Sequence, residues 1–439
     1  MDESTFQTAF PRTFAVIAQG IERGLHTGCQ IYISVQGKPL ADDGVGMSRP
    51  GIPMSSDTIN LWLSSGKPLT AVAILQAWER GELRLDDRVT RFLPTFGQNG
   101  KEAVTIRHLL THTGGFRNVE TGWPETPWDE IVERINVAPL ETGWIVGKTA
   151  GYHTASSWFV LGEILQRIEQ RPYSDLLRDR LLRPLGMNDT WAALPPDRYA
   201  AYGDRIGGMF VREQSELLPL DWTSAARSAV SSPGGNIRGP IRELGVFYEM
   251  LLNEGAGPAG QILSPQTVAA MTARHRVGEY DQTLGHVIDF GLGVIIDSNR
   301  YGAATVPYGY GAKCSRRAFG HGGGSVIARL VRSGNRAGGC LLFQRARRRR
   351  PAQSKDSTSE RSDRHGSRNR RRGELTSVII SCVLPSRRSR SSRRPSWHQA
   401  STRHACPRAH RSCCSATCRK WAVRRNGAAQ QSTRRVNCR

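Results

Sequence analysis

The chain has 439 residues, 38% of them hydrophobic, and a formal net charge of +23. This length is sufficient for one large domain or two smaller ones. No run of about 18 apolar residues occurs, so we expect no contact with a membrane. The acidic start MDESTFQTAF lacks the basic and apolar regions of a signal peptide, which favours a cytoplasmic location.

The positive charge is confined to the end of the chain. Residues 331–439 contain 29 Lys or Arg and 4 Asp or Glu, and their net +25 exceeds the +23 of the whole chain, which leaves −2 for residues 1–330. Of nine cysteines, only Cys29 and Cys314 precede residue 331. Two scattered cysteines form no disulfide framework, so the first part suits a reducing compartment. We therefore predict a domain over residues 1–330, followed by a basic tail.

Predicted elements begin with helical spacing of apolar residues over residues 5–25. The strand pattern CQIYISV, a turn at Gln36-Gly37 and a second extended run toward Met47 predict a β-hairpin. A strongly apolar helix follows from Pro68 and stops at Gly81. Further helices are predicted over residues 105–116, 155–171, 240–252 and 264–273, and extended segments over 290–296 and 317–325. The pattern is therefore strands at both ends of residues 1–325 and helices between them.

Three hypotheses account for the tail, residues 331–439. The first is a disordered, arginine-rich arm that binds nucleic acid. DNA binding that is sensitive to salt and disappears when residues 331–439 are deleted would favour it. Alternatively, the tail is the product of a shifted reading frame, which we favour because the break falls inside a motif; the nucleotide sequence would decide. A third hypothesis is a zinc module, although no regular CxxC pair occurs; its ligands would be His404, Cys406, His410, Cys413, Cys414 and Cys418.

The first motif is Ser64-Ser65-Gly66-Lys67, an S-x-x-K. About one or two such matches arise by chance in a chain of this length, and an ordinary helix N-cap is the alternative for Ser64. Ser64, however, stands at the start of the apolar helix, where free backbone N–H groups favour an oxyanion. Lys67, three residues on, shares its face of the helix. Its apolar neighbours favour a neutral amine, which can act as a base.

Two further motifs are weak when taken alone. Tyr152-His153-Thr154 stands just before a predicted helix, where a tyrosine could share a proton with Lys67 or could simply pack. The glycine-rich stretch that begins at His321 would let a substrate approach the backbone, or is a plain turn. His108 and His112 are spaced four residues apart but lack the glutamate of a zinc protease, so we interpret them as structural.

The order of these motifs carries a family resemblance. Between Ser64 and Gly324 the chain carries, in this order, SSGKPLTAVAILQAWERGELRLDDRVTRFLP, VTIRHLLTHTGGF, GYHTASSWFVLGEILQRI, LLRPLGMNDTW, SSPGGNIRGPIRELGVFYEMLLNEG and AFGHGGG, and the similarity as a whole extends from about residue 10 to residue 325. Together they closely resemble the class C β-lactamase-related serine hydrolases, which include β-lactamases, family VIII carboxylesterases, D-aminopeptidases and DD-peptidases. The resemblance implies an α/β (α+β) domain, with a β-lactamase/transpeptidase-like antiparallel sheet flanked by helices and an inserted helical region.

The resemblance also implies roles for individual residues. Ser64 would be acylated, Lys67 would be its general base, and Tyr152 would assist proton transfer. His321 and Gly323 would line the site, with His321 in place of the family's lysine. Thr154, which would hydrogen-bond the substrate or Lys67, stands where an asparagine is common. The backbone N–H groups of Ser64 and Gly324 would form the oxyanion hole. No metal or organic cofactor is implied.

A neutral imidazole at position 321 would hold a β-lactam carboxylate less firmly than an ammonium group does. We therefore expect a serine hydrolase for a small carboxylic ester or amide. β-Lactamase or D-amino-acid peptidase activity is the alternative, as is an inactive relative that an acylating probe would fail to label. The expected partners are small-molecule esters, amides or β-lactams, with no specific nucleic acid and no membrane; the oligomeric state stays open.

Overall fold

The computed structural model describes residues 5–213, 216–323, 326–330, 337–345 and 347–348. Its α-helices are α1 Thr5–Ala9, α2 Pro11–Glu22, α3 Lys67–Glu79, α4 Ile106–Leu110, α5 Trp128–Val137, α6 Ser156–Glu169, α7 Tyr173–Leu177, α8 Pro196–Tyr202, α9 Ala225–Ser228, α10 Ile241–Leu252 and α11 Pro265–Thr272. Its strands are β1 His26–Val35, β2 Lys38–Arg49, β3 Ile52–Pro53, β4 Asn60–Leu61, β5 Phe210–Glu213, β6 Glu216–Pro219, β7 Arg238–Gly239, β8 Ala256–Gly257, β9 Gly260–Gln261, β10 Tyr280–Asp281, β11 His286–Val287, β12 Ile295–Ile296, β13 Phe319–Gly322, β14 Val326–Leu330, β15 Ala337–Arg345 and β16 Arg347–Arg348.

The main sheet has seven strands in the order β12-β13-β14-β15-β1-β2-β3, and all its neighbours are antiparallel. The predicted hairpin is present as β1 and β2. Gln36 and Gly37 join these strands with φ of 55° and 74°, as a two-residue hairpin turn of the right twist requires. Strands from both ends of the domain therefore meet in one sheet, and the predicted fold class is confirmed.

Strand β1 is buried on both faces because helices cover both sides of the sheet. Cys29, Ile31 and Ile33 point to one side and pack with apolar residues of α1 and α2. On the other side, the Tyr32 hydroxyl donates a 2.8 Å hydrogen bond to Glu249 of α10. Alternate residues of a strand face opposite sides, so this near-continuous apolar run matches a central strand.

The largest core cluster lies among the helices, around α3. Residues 67–75 of this helix are all buried, which agrees with its apolar composition on every side. Neighbours in the core come from α4, α6, α7 and α10. Helix α3 therefore runs through the middle of the helical region, and its N-terminus is held between this region and β13.

Strand β15 begins after residue 330, the boundary that we predict for the domain, and lies between β14 and β1. The domain boundary itself stays a prediction, and residues 349–439 of the predicted tail lie outside the described residues. Within the described part of the chain, every helix is too short or too polar to cross a bilayer.

Candidate active site

Ser64 lies in a 3-10 turn, Leu63–Gly66, that leads directly into α3. Its side chain is partly exposed, whereas Ser65 and Gly66 are buried. Leu63 has a φ of 50°, a left-handed conformation that costs about 1–3 kcal/mol in a residue with a side chain. Leu63 packs in an apolar cluster with Leu61 and Met209, and these contacts hold the turn in place. The predicted nucleophile is therefore presented at the mouth of the buried helix.

Lys67 is fully buried beneath this turn. Its Nζ lies 3.1 Å from the Ser64 Oγ and 2.8 Å from the carbonyl oxygen of Thr154. It also contacts the carbonyl oxygen of Gly234. The predicted serine–lysine pair is thus brought together, and each polar partner of Lys67 among the described residues is a hydroxyl or a carbonyl.

The surroundings of Lys67 favour its uncharged form. Burial lowers the pKa of its amine well below the usual value, since a charged group is poorly solvated there. A neutral amine has two N–H donors and one lone pair. The carbonyls of Thr154 and Gly234 accept the two N–H bonds, which leaves the lone pair to accept the Ser64 proton. This arrangement can activate a hydroxyl nucleophile.

Tyr152 is buried beside Lys67, whose Nζ lies 5.4 Å from the centre of the tyrosine ring. Burial raises the pKa of the Tyr152 phenol well above 10, and the neighbouring Ser64 hydroxyl opposes this rise. With the described residues, the phenol makes no hydrogen bond of standard geometry. It therefore stays protonated at neutral pH, close to the Ser64 hydroxyl, where it can deliver a proton to a leaving group.

A buried ion pair fixes the backbone of Tyr152. The amide N of Tyr152 donates a 3.0 Å hydrogen bond to the Asp281 carboxylate. Asp281 pairs with Arg276 at 3.0 Å, and both side chains are almost fully buried. Breaking such a pair would leave an uncompensated buried charge, so the pair stays intact. Through Asp281 it anchors the Tyr152 loop to the neighbouring strands.

Thr154 takes part through its backbone. Its carbonyl oxygen accepts from Lys67, while its side chain is exposed. A residue of another type could supply the same carbonyl, and so the presence of threonine where the family often has asparagine leaves this contact intact. A contact of the Thr154 side chain with substrate stays a prediction.

His321 lies on β13 and is fully buried. Its Nδ1 lies 2.8 Å from the carbonyl oxygen of Gly322, which can only accept, so this nitrogen carries the proton. Burial lowers the pKa of His321 to about 3, and Lys67 adds to this effect when it is protonated. The ring is therefore neutral, and its Nε2 is an acceptor without a partner among the described residues.

Gly323 lies against the Ser64 turn. A side-chain carbon at this position would lie 2.6 Å from the Trp62 carbonyl oxygen and 3.2 Å from the Ser64 amide N, so only glycine fits. Gly323 therefore packs directly against the Ser64 amide, and the oxyanion hole at that amide stays a prediction. Gly324, the other predicted oxyanion donor, lies outside the described residues.

Sequence reasoning missed Gly234, whose carbonyl accepts from Lys67. A side-chain carbon there would lie 2.9 Å from Trp158 Cβ and 3.1 Å from Lys67 Nζ. The motif SSPGGN contains this glycine, but nothing in its spacing indicates a contact with a residue 167 positions earlier. The ring of His112, for which the sequence predicts a structural role, lies 4.5 Å from that of Tyr152.

Lys148, in the loop segment Lys148-Thr149-Ala150-Gly151, is exposed and lies outside these contacts. His108 accepts a hydrogen bond from the Thr105 amide and caps α4. Among the described residues, no three or more His, Cys, Asp and Glu side chains are grouped so that they could hold a metal ion.

The chain is similar to proteins of known class. It is 28% identical over 316 residues to Esterase EstB of Burkholderia gladioli, an alignment that covers 65% of this chain and 80% of that protein. It is 29% identical over 231 residues to Penicillin-binding protein 4 of Amycolatopsis lactamdurans, covering 50% of this chain and 58% of that protein.

Solved structures show the same fold. A family VIII carboxylesterase superposes with a TM-score of 0.64 at 21% identity, covering 77% of this chain and 92% of the esterase. A penicillin-binding protein homologue from Caulobacter crescentus superposes with a TM-score of 0.62 at 24% identity, with the same coverage. The beta-lactamase family model matches residues 14–358, most of the chain. As its motifs predict, the chain therefore belongs to the beta-lactamase family of serine hydrolases.

Proposed function

We propose that this protein hydrolyses small carboxylic esters or amides through an acyl-enzyme formed on Ser64. The observation that carries the proposal is the 3.1 Å contact between Ser64 Oγ and a buried Lys67 amine whose two N–H bonds are directed to carbonyls. Similarity to an esterase supports the substrate class.

In the first step, Lys67 Nζ accepts the Ser64 proton while Oγ attacks the substrate carbonyl carbon. The negative charge that develops on the carbonyl oxygen is stabilised by the Ser64 amide N–H, at the start of the turn that enters α3. The carbon–oxygen or carbon–nitrogen bond to the leaving group then breaks. The leaving group takes a proton from Tyr152, which in turn receives the one held by Lys67.

In the second step, water attacks the ester carbon of the acyl-enzyme. The proton of the water passes to Lys67 Nζ, and the bond between the carbonyl carbon and Ser64 Oγ breaks. The acid is released and Ser64 regains its proton, so the cycle is balanced without a further reactant.

Hydrolysis of β-lactams or D-amino-acid peptides is a second candidate, supported by similarity to a penicillin-binding protein. The neutral His321 disfavours it, because many such substrates carry a carboxylate that a cation would hold. Esters and uncharged amides therefore rank first.

The test is Ser64→Ala, assayed with a nitrophenyl ester of a short acid. We expect turnover to fall to the uncatalysed level while thermal unfolding is unchanged, since Ser64 is partly exposed. Ser55→Ala, at an exposed serine of the preceding segment, is the control and should retain full activity. Equal turnover by Ser64→Ala and the parent protein would refute the proposal.

A further inference from the structure

His112 is not part of the Ser64, Lys67 and Tyr152 group, yet it forms hydrogen bonds with the chain on both sides of Tyr152. Its carbonyl oxygen accepts a 3.1 Å hydrogen bond from the amide of Gly151. Its ring Nδ1 accepts a 3.0 Å hydrogen bond from the amide of His153. A single residue therefore holds the amides of the two residues that flank Tyr152, the predicted proton donor.

The His112 ring also lies against the Tyr152 ring, with centroids 4.5 Å apart and planes inclined by 36°. Phe290 contacts the histidine ring edge-on, at 5.1 Å. The ring is thus enclosed by aromatic groups, and His112 is fully buried. Any shift of this ring would be transmitted to Tyr152, since packed groups have no free space to move into.

The protonation state of His112 follows from its contacts. The His153 amide can only donate, so Nδ1 of His112 must carry a lone pair, and the proton of the neutral ring resides on Nε2. Burial lowers the pKa of His112 well below its usual value, and the neighbouring His153 adds to this effect. The acceptor at Nδ1 is therefore preserved across the neutral pH range.

The backbone of His112 is strained. Its φ is 59°, a left-handed conformation that residues with side chains seldom adopt, although asparagine and glycine tolerate it well. The preceding carbonyl, that of Thr111, accepts a 3.1 Å hydrogen bond from Arg276, the partner of Asp281. Because Asp281 in turn holds the Tyr152 amide, both loops are tied to one buried ion pair.

We infer that His112 is a positioning residue for Tyr152, and that it acts through the acceptor at its Nδ1 and through its ring contact. The inference rests on the proposed function, because it assigns Tyr152 a part in proton transfer. His112 itself touches neither Ser64 nor the reacting atoms in this assignment.

The test compares two variants whose new residues both adopt the left-handed backbone more readily than most others. His112→Asn places its amide oxygen where Nδ1 stood, whereas His112→Gly provides no acceptor. With a nitrophenyl ester, we expect His112→Gly to lose at least about tenfold in kcat with KM changed less than about twofold. His112→Asn should recover most of that loss, and His108→Asn, at the histidine of the preceding helix α4, should match the parent protein.

A double-mutant cycle separates positioning from general stability. In a Tyr152→Phe background the group to be positioned is absent, so His112→Gly should then reduce kcat by less than about twofold. An equal loss in both backgrounds, or no rescue by asparagine, would overturn the inference. If His112→Gly shows no cooperative unfolding, His112→Gln replaces it in the test, because the glutamine amide oxygen lies one bond too far out to act as the acceptor. Activity of His112→Gln equal to that of His112→Asn would then overturn the inference. Loss of activity in Ser64→Ala together with unaffected His112 variants would refute this inference alone, whereas an active Ser64→Ala would refute the proposed function.

Discussion

Lys67 is the residue on which the proposed chemistry depends, and its role requires a lone pair. Lys67→Arg introduces a permanent positive charge, because arginine cannot release its proton in a protein, and so it removes the base. We expect kcat/KM for the nitrophenyl ester to fall by about 10²–10⁴-fold, the contribution typical of general base catalysis. Lys148→Arg, at an exposed lysine, is the matched control. Substantial turnover by Lys67→Arg with an unchanged unfolding midpoint would contradict the assignment.

Lys67 and His321, the two buried basic groups of the site, predict how activity depends on pH. Burial lowers the pKa of Lys67 below its usual value, so the amine is neutral above that pKa and gains a proton, losing its lone pair, as the pH falls through it. Activity should therefore decline on the acid side. His321, with a pKa of about 3, should add no inflection at pH 5–9. Profiles of kcat/KM for the parent and for His321→Gln should share one acid limb, and a displaced limb in the variant would assign that titration to His321.

The identity of residue 321 should determine the preference for substrate charge. His321→Lys would place an ammonium group where the ring is now neutral, and an ammonium group donates a charge-assisted hydrogen bond to a carboxylate. We expect the ratio of kcat/KM for a penicillin to that for a neutral ester to rise by at least about tenfold. His321→Gln, which brings no charge, should leave this ratio unchanged. The same ratio in both variants would show that charge at this position does not select substrates.

At the scale of elements, periodicity located most helices and the hairpin but missed the local conformation of the site. The apolar run after Pro68 predicts α3 and the burial of Lys67. The 3-10 turn before α3, with its left-handed Leu63, was not predictable, because leucine has no preference for that conformation. The turn is imposed by contacts with Met209 and with the close backbone at Gly323, both far away in the sequence.

The loop that carries Gly234 has no room for even one added methyl group at this glycine. Gly234→Ala would bring a methyl group to 2.9 Å from Trp158 and 3.1 Å from Lys67 Nζ, so that the amine must move. We expect a loss of stability of about 1–3 kcal/mol and at least a tenfold loss of kcat, since about 1 Å of displacement can reduce a rate a hundredfold. Gly235→Ala is the control, because its nearest neighbour would be 3.8 Å away. Equal effects of the two substitutions on kcat would contradict this account.

At the scale of the whole molecule, the order of the motifs predicted the family, the fold and the meeting of Ser64 with Lys67. That pair is local in sequence, so helix geometry is sufficient to place it. Other contacts join segments that are distant in sequence: the one between Lys67 and the Gly234 carbonyl, and the hydrogen bond of His112 to the Tyr152 loop. Only the assembled fold shows such contacts.

The sheet itself makes a prediction about where the chain can be shortened. Strand β15 lies between β14 and β1, so a chain that ends at residue 330 would leave both neighbours with unpaired backbone edges. A chain that ends at residue 358 retains this strand and the whole match to the family. We expect the 358-residue chain to unfold cooperatively and to hydrolyse the nitrophenyl ester as the full chain does, whereas the 330-residue chain should aggregate or lack a thermal transition. Full activity of the shorter chain would show that β15 is dispensable, and loss of activity in the longer one would assign a role to residues 359–439.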